Sequence, residues 1–146
     1  MRRTGMVLAI ASAVATIAVA MQALADGPWG CGALVASDPR VEAQIDARAH
    51  NITMRRIIEE YMRRWDAAYM RESCDRIVRG ETVDLSCLNG RRNWAEIDAI
   101  IPDEYYGMSN SALRPYYLAL SDEPNPKDEA ARYCVDIGAI PPAFQR

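Results

Sequence analysis

Residues 54–79 restrict the fold of this chain more than any other stretch. Ile57, Ile58, Tyr61, Met62, Trp65, Ala68 and Tyr69 recur at helical spacing. At 100° per residue they line one face. Glu59 and Glu60 each precede an arginine by four residues, Arg63 and Arg64, and Arg55 and Arg56 stand four residues before the glutamates. Each such pair supports a helix by a few tenths of a kcal/mol. Gly80 supplies the stop. No segment alternates with period two, and Val83-Asp84-Leu85 is too short for a strand. The expected fold is all-α, a small bundle of four to five helices.

Other helix signals flank this segment. Asp38-Pro39 pairs an N-cap acid with a proline at the first helical position. Val41, Ile45 and Ile52 share a face that lies about 150° from the stripe beginning at Met54. One straight helix would show opposite faces to the core, so either the chain breaks near residues 50–53 or one long helix packs on different partners at each end; the break is expected, since Asn51 and Thr53 can both cap. Asn93 with Glu96 resembles a capping box, and Trp94, Ile97, Ile100 and Ile101 form a short face that Pro102 ends. Residues 102–111 read as a loop. The following helix, with Tyr116, Leu118 and Leu120, is expected to start at Pro115, because Arg114 before proline is pushed out of the α region. Asn125-Pro126 opens a last helix with Asp128 and Glu129 in its first turn and Gly138 as its stop.

The first 25 residues read as a leader. Arg2 and Arg3 precede an uncharged run from Met6 to Ala20, and Ala23-Leu24-Ala25 offers small residues at both positions a signal peptidase reads. The expectation is cleavage after Ala25 and a single periplasmic or secreted domain, residues 26–146. The alternative is an uncleaved anchor facing the periplasm, since the apolar stretch is about long enough to span a bilayer. Losing residues 1–25 removes two arginines and no acid, which moves the formal charge from −3 to −5. An arginine-to-lysine ratio of sixteen to one suggests a bacterial source, where the Asn51-Ile52-Thr53 sequon is silent.

Cys31, Cys74, Cys87 and Cys134 all lie beyond the leader. An even count in an exported chain reads as disulfides. The short loop favours Cys74–Cys87, which leaves Cys31–Cys134 to tie the N-terminal segment to the last helix. A metal site is disfavoured: no C-x-x-C pair exists, and His50 is remote in sequence from every cysteine.

Catalytic signals are thin. His50 has Asp46 and Met54 one turn to either side and reads as a capping or exposed histidine. Glu72-Ser73 is similar to the helix-terminal Glu-Ser acid of lytic transglycosylases. That family's Gly-Leu-Met-Gln signature is absent and Cys74-Asp75 stands in its place, so Glu72 reads as a solvated charge. Met54, Met62 and Met70 recur every eight residues, which turns them 80° apart on a helix, and they read as core filler rather than a copper site. No cofactor is expected. The acidic balance argues against a nucleic-acid partner.

The interaction signal is stronger. Tyr105-Tyr106 follows Asp103-Glu104, and Tyr116-Tyr117 precedes Asp122-Glu123. Tyrosine buries much area at small entropic cost and keeps a polar tip. Residues 103–123 are therefore the expected partner face, with the tyrosines as anchors and the acids as rim. The expected function is a non-catalytic exported binding or accessory protein that acts on another protein. Two alternatives are an inhibitor or immunity protein against a periplasmic toxin or enzyme, and a small peptidoglycan-active hydrolase or lyase built on Glu72.

Overall fold

The computed structural model describes residues 39–83 and 91–142. The leader, Cys31, Cys87 and the cap Asp38 lie outside the described residues. Among those described there are five α-helices, four of ten residues or more, and no strand. They are α1 (Pro39–Arg48), α2 (Ile52–Val78), α3 (Trp94–Ala99), α4 (Asn110–Asp122) and α5 (Pro126–Asp136). A 3-10 helix, Asp103–Gly107, lies within the segment read from sequence as a loop.

The break falls at residues 49–51, as expected from the change of apolar face. α1 ends at Arg48, and the Asn51 side chain caps α2 by accepting from the Met54 N–H at 2.8 Å. The same end is tied to the chain before α4. Thr53 N–H donates to Asn110 Oδ1 at 3.1 Å, and His50 Nε2 donates to the Met108 carbonyl at 2.7 Å. α2 and α5 both end in Schellman geometry. Glu81 N–H reaches the Arg76 carbonyl and Gly80 N–H that of Ile77; Ala139 and Gly138 do the same to Cys134 and Val135. Gly80 and Gly138 take φ of 83° and 80°, the left-handed region that favours glycine.

α2 is the spine against which the other helices pack. Its two halves turn nearly opposite faces to their partners. Met54, Ile57, Ile58, Met62 and Trp65 join Val41 and Ile45 of α1, Ile97 of α3, Ile101, Tyr105 and Leu113 of α4 in one core. Ala67, Met70 and Cys74 form a second core with Ala130, Cys134 and Ile140. Stepping 100° per residue, 67, 70 and 74 lie almost across the helix from 54, 58 and 65. Ala68, expected to share the first stripe, is exposed, and Ala67 is buried instead. The three methionines are divided between these two cores and are buried.

Both expected disulfide pairings are corrected. Cys74 bonds Cys134, with their Cα atoms 5.5 Å apart. Cys74 therefore does not pair with Cys87, nor Cys134 with Cys31. Loop length favoured the nearer partner, but Cys74 belongs to the face of α2 that packs on α5, and Cys134 lies on the buried face of α5. α4 also differs from expectation. It begins five residues before Pro115, with Ser109 Oγ accepting from Ala112 N–H at 3.2 Å. Pro115 removes one hydrogen bond, to the carbonyl of residue 111. The cap and the full burial of Leu113 offset that loss.

Candidate functional site

The expected partner face, residues 103–123, resolves into a buried part and an exposed part. Tyr105 belongs to the core, only 9 % exposed. Burial, and then the neighbouring Tyr61, raises its phenol above the ordinary value. Tyr106 is half-buried. Its hydroxyl donates to Asp98 Oδ1 at 2.6 Å, and the Arg48 guanidinium sits 4.7 Å from its ring centroid. Tyr117 is half-buried beneath Arg56, 5.7 Å away. Tyr116 is the exposed member of the four, at 43 %, with its ring centroid 5.0 Å from that of Tyr105. Of the expected rim, Asp103, Glu104 and Asp122 are exposed, and Glu123 accepts from Arg64 Nη2 at 2.5 Å.

The outer side of α4 is unusual for a surface helix. From Pro115 to Ser121 it carries no charge. Leu113, Tyr117 and Leu120, at i, i+4 and i+7, face inward. Ala112, Pro115, Tyr116, Leu118 and Ala119 are all exposed, Leu118 at 47 %. A helix packed on one side normally sets charge opposite the core. Here Ala112, Pro115 and Ala119 occupy that side, with Tyr116 and Leu118 on its two flanks about 160° apart, and exposed apolar surface of this kind marks interaction sites. Tyr116, Leu118 and Leu120, the apolar residues read from sequence for this helix, do not share a face: Leu120 is half-buried and the other two are exposed. The spacing Leu113-Tyr117-Leu120 behind the Ser109 cap was the signal that identifies the buried face.

Arg48, Asp98 and Tyr106 join α1, α3 and the 3-10 helix. Arg48 Nη2 meets Asp98 Oδ2 at 2.6 Å. Burial alone would raise the Asp98 carboxyl, but hydrogen bonds from Tyr106 and Arg48 outweigh it and hold the group below its usual range. A carboxylate with a depressed folded pKa stabilises above its unfolded value, about 3.9, and that stability is lost as pH falls through the folded value. The stability gap between the wild type and Asp98→Asn should therefore be full at neutral pH and shrink below about pH 4. Denaturant melts across pH measure this, and a gap constant down to pH 2 would contradict it.

A separate groove of about 440 Å³ lies between α1 and the start of α3, lined by Arg40, Val41, Gln44, Arg91, Arg92, Asn93 and Trp94. Arg92 is fixed from behind: its Nε and Nη2 donate to the two oxygens of fully buried Asp66 at 3.1 and 2.8 Å. Lys127 Nζ lies 3.8 Å from the same carboxylate.

The other candidates from sequence lie apart from both surfaces. Asp46 pairs with Arg55 rather than orienting His50. Glu72 is exposed on α2. Among the described residues no three His, Cys, Asp or Glu side chains gather as metal ligands. No helix among them is long and apolar enough to cross a membrane. Comparison with models of known protein families, with curated proteins and with solved structures finds no match for this chain.

Proposed function

We infer that this chain is an exported, non-catalytic binding protein that recognises another protein through the outer face of α4. The observation that carries this reading is the uncharged outer side of α4 from Pro115 to Ser121, with exposed Tyr116 and Leu118 on its two flanks. Tyr116 is the natural anchor, because its exposed ring is braced by Tyr105 and loses little freedom on binding. Asp103, Glu104 and Asp122 at the ends of this side favour a partner with basic residues around an apolar centre. Affinity capture of the mature chain in periplasmic extract, read by quantitative mass spectrometry, should yield a stoichiometric protein partner. Tyr116→Ala should weaken that complex by about 1–3 kcal/mol and leave the melting temperature nearly unchanged. Unaltered partner binding by Tyr116→Ala and Leu118→Asp together would sink the assignment.

Export is part of the same proposal. A buried disulfide between helices suits an oxidising compartment, and the leader pattern supports cleavage after Ala25. With Cys74 bonded to Cys134, Cys31 and Cys87 are the remaining pair. Arg40 and Arg91 line one groove. Cys31 is nine residues from the first and Cys87 four from the second, within reach at about 3.3 Å per residue. N-terminal sequencing of native protein should begin at Asp26, and non-reducing peptide mapping should show a Cys31–Cys87 link and no free thiol. A chain retaining Met1 in the membrane fraction would replace the soluble reading with the anchored one.

A further inference from the structure

We propose that in the free protein the outer side of α4 is covered by a second copy of this chain, packed antiparallel about a two-fold axis with Leu118 facing Leu118. The proposal rests on the reading of that side as a recognition surface, and it names what occupies the surface before a different protein arrives. Within α4 only Arg114 and Asp122 are charged, and both are exposed, as is Leu118 at 47 %. Each charge stands four residues from Leu118, one on either side along the helix. Four residues are a rise of about 6 Å and a net turn of about 40°. The cation and the acid therefore bracket Leu118 on one side of the helix, the cation toward its N-terminus. Among the described residues no ion pair engages Arg114 or Asp122, whereas the neighbouring Glu123 is taken up by Arg64.

A two-fold axis makes this pattern its own complement. With two such helices antiparallel and Leu118 at the axis, the residue four before Leu118 in one copy faces the residue four after it in the other. Arg114 then meets the acid of the second copy, and Asp122 meets its arginine, so one ion pair forms twice, as an isologous interface requires. A parallel pairing would set arginine on arginine and acid on acid, and such like-charge contacts are strongly disfavoured. The side chains between the charges allow the helices to approach. Ser111, Pro115 and Ser121 lie within about 60° of Leu118 around the helix and Ala119 at about 100°. All four are small, exposed and uncharged. Pro and Ala also lose no side-chain freedom when covered. Tyr116 lies on the other flank, its ring against Tyr105, outside the centre of this contact. One helix face makes a small interface, at the weak and transient end of the range, below about 1,200 Å² in total. That suits a cover that a different protein displaces.

Sedimentation velocity of the purified mature chain from micromolar to millimolar concentration tests this, and a monomer–dimer equilibrium is expected. Arg114→Asp and Asp122→Arg should each weaken the dimer about tenfold or more, because each sets like charges opposite one another twice. Both sites are exposed, so thermal melts of the two variants should match the wild type. An equimolar mixture of the two variants should regain the dimer. In the mixed pair the new acid of one faces the new arginine of the other, and the native Asp122 of the first faces the native Arg114 of the second. A wild type that stays monomeric throughout, a dimer that both variants leave intact, or a mixture with no more dimer than either variant alone would overturn the proposal. Affinity capture from periplasmic extract reads the function proposed above separately. Capture lost in Tyr116→Ala beside a monomeric wild type removes the second copy and keeps that function. A charge-dependent dimer beside capture unaltered by Tyr116→Ala with Leu118→Asp keeps the second copy and removes that function.

Discussion

Replacing Arg92 with alanine should lower stability by about 3–5 kcal/mol, which for a domain of this size is a drop of about 10 °C or more in Tm. Asp66 is fully buried, and Arg92 is its bidentate partner, itself only 13 % exposed. Without Arg92 the carboxylate keeps only Lys127, at 3.8 Å and without the matching fork. An exposed pair would contribute about 0–1 kcal/mol, because water solvates either partner when the other is removed. Here water does not reach Asp66, so the cost is that of stranding a charge. Chemical denaturation of Arg92→Ala, Asp66→Leu and the double variant Asp66→Leu/Arg92→Met separates the two accounts. The double variant should be more stable than Arg92→Ala, since replacing both charges by apolar groups removes the stranded ion. A single-variant loss under about 1 kcal/mol would show that the pair behaves as a surface one.

This ion pair also shows why parts of the molecule are not legible in sequence. Asp66 lies on α2 outside the apolar stripe that the sequence shows, and Arg92 lies just before the Asn93 cap. Only the packing of α3 and α5 on α2 brings Arg92 and Lys127 to one buried carboxylate. The groove is hidden in the same way, because Arg40 and Arg91 are about fifty residues apart and no local spacing links them. By contrast, signals that act within one turn are legible. Asn51, Asn93 and Asn125 each accept from a backbone N–H at the start of a helix, as their residue types and positions predict. Gly80 and Gly138 end helices for an equally local reason. The break near residue 50 is also legible, because a change of apolar face coincides there with the Asn51 cap; the similar change within α2 has no cap beside it and leaves that helix unbroken.

Competition between local rules accounts for the errors at α4. The proline rule places a helix start at Pro115, and taken alone it is sound. Ser109 and Leu113 outweigh it, through a cap and a fully buried side chain, and they move the start to Asn110. The longer helix adds Leu113 to the inward face of Tyr117 and Leu120. The paired tyrosines follow similar logic. Adjacent residues on a helix point about 100° apart, so Tyr116 and Tyr117 cannot share one environment. Sequence identifies the pair as amphipathic anchors; the packing of α4 on α2 decides which member faces outward.

Reduction of Cys74–Cys134 should have the second large effect, and a local one. The bond closes a loop across a sequence separation of 60, and restricting the unfolded chain to that extent is worth roughly 4 kcal/mol. The core around it is small. Besides the two cysteines its buried members are Ala67, Met70, Ala130 and Ile140, and two of those four are alanines. The first core instead holds eleven buried residues, among them Ile57, Ile58, Trp65, Ile97 and Leu113. Without the disulfide, α5 keeps the Tyr133 hydroxyl on Asp75 at 2.5 Å and Arg71 over the Tyr133 ring, contacts that water can replace. Hydrogen exchange of Cys74→Ser/Cys134→Ser should therefore show residues 126–136 losing protection first. The N-terminal half of α2, α3 and α4 should stay protected, since local unfolding follows the regions with least buried apolar contact. If all helices lose protection together, the two cores form one cooperative unit and the division along α2 is wrong. Because α4 packs on the first core, its exposed outer side should stay in place when α5 opens, so the double serine variant should still bind a protein partner held through Tyr116 and Leu118.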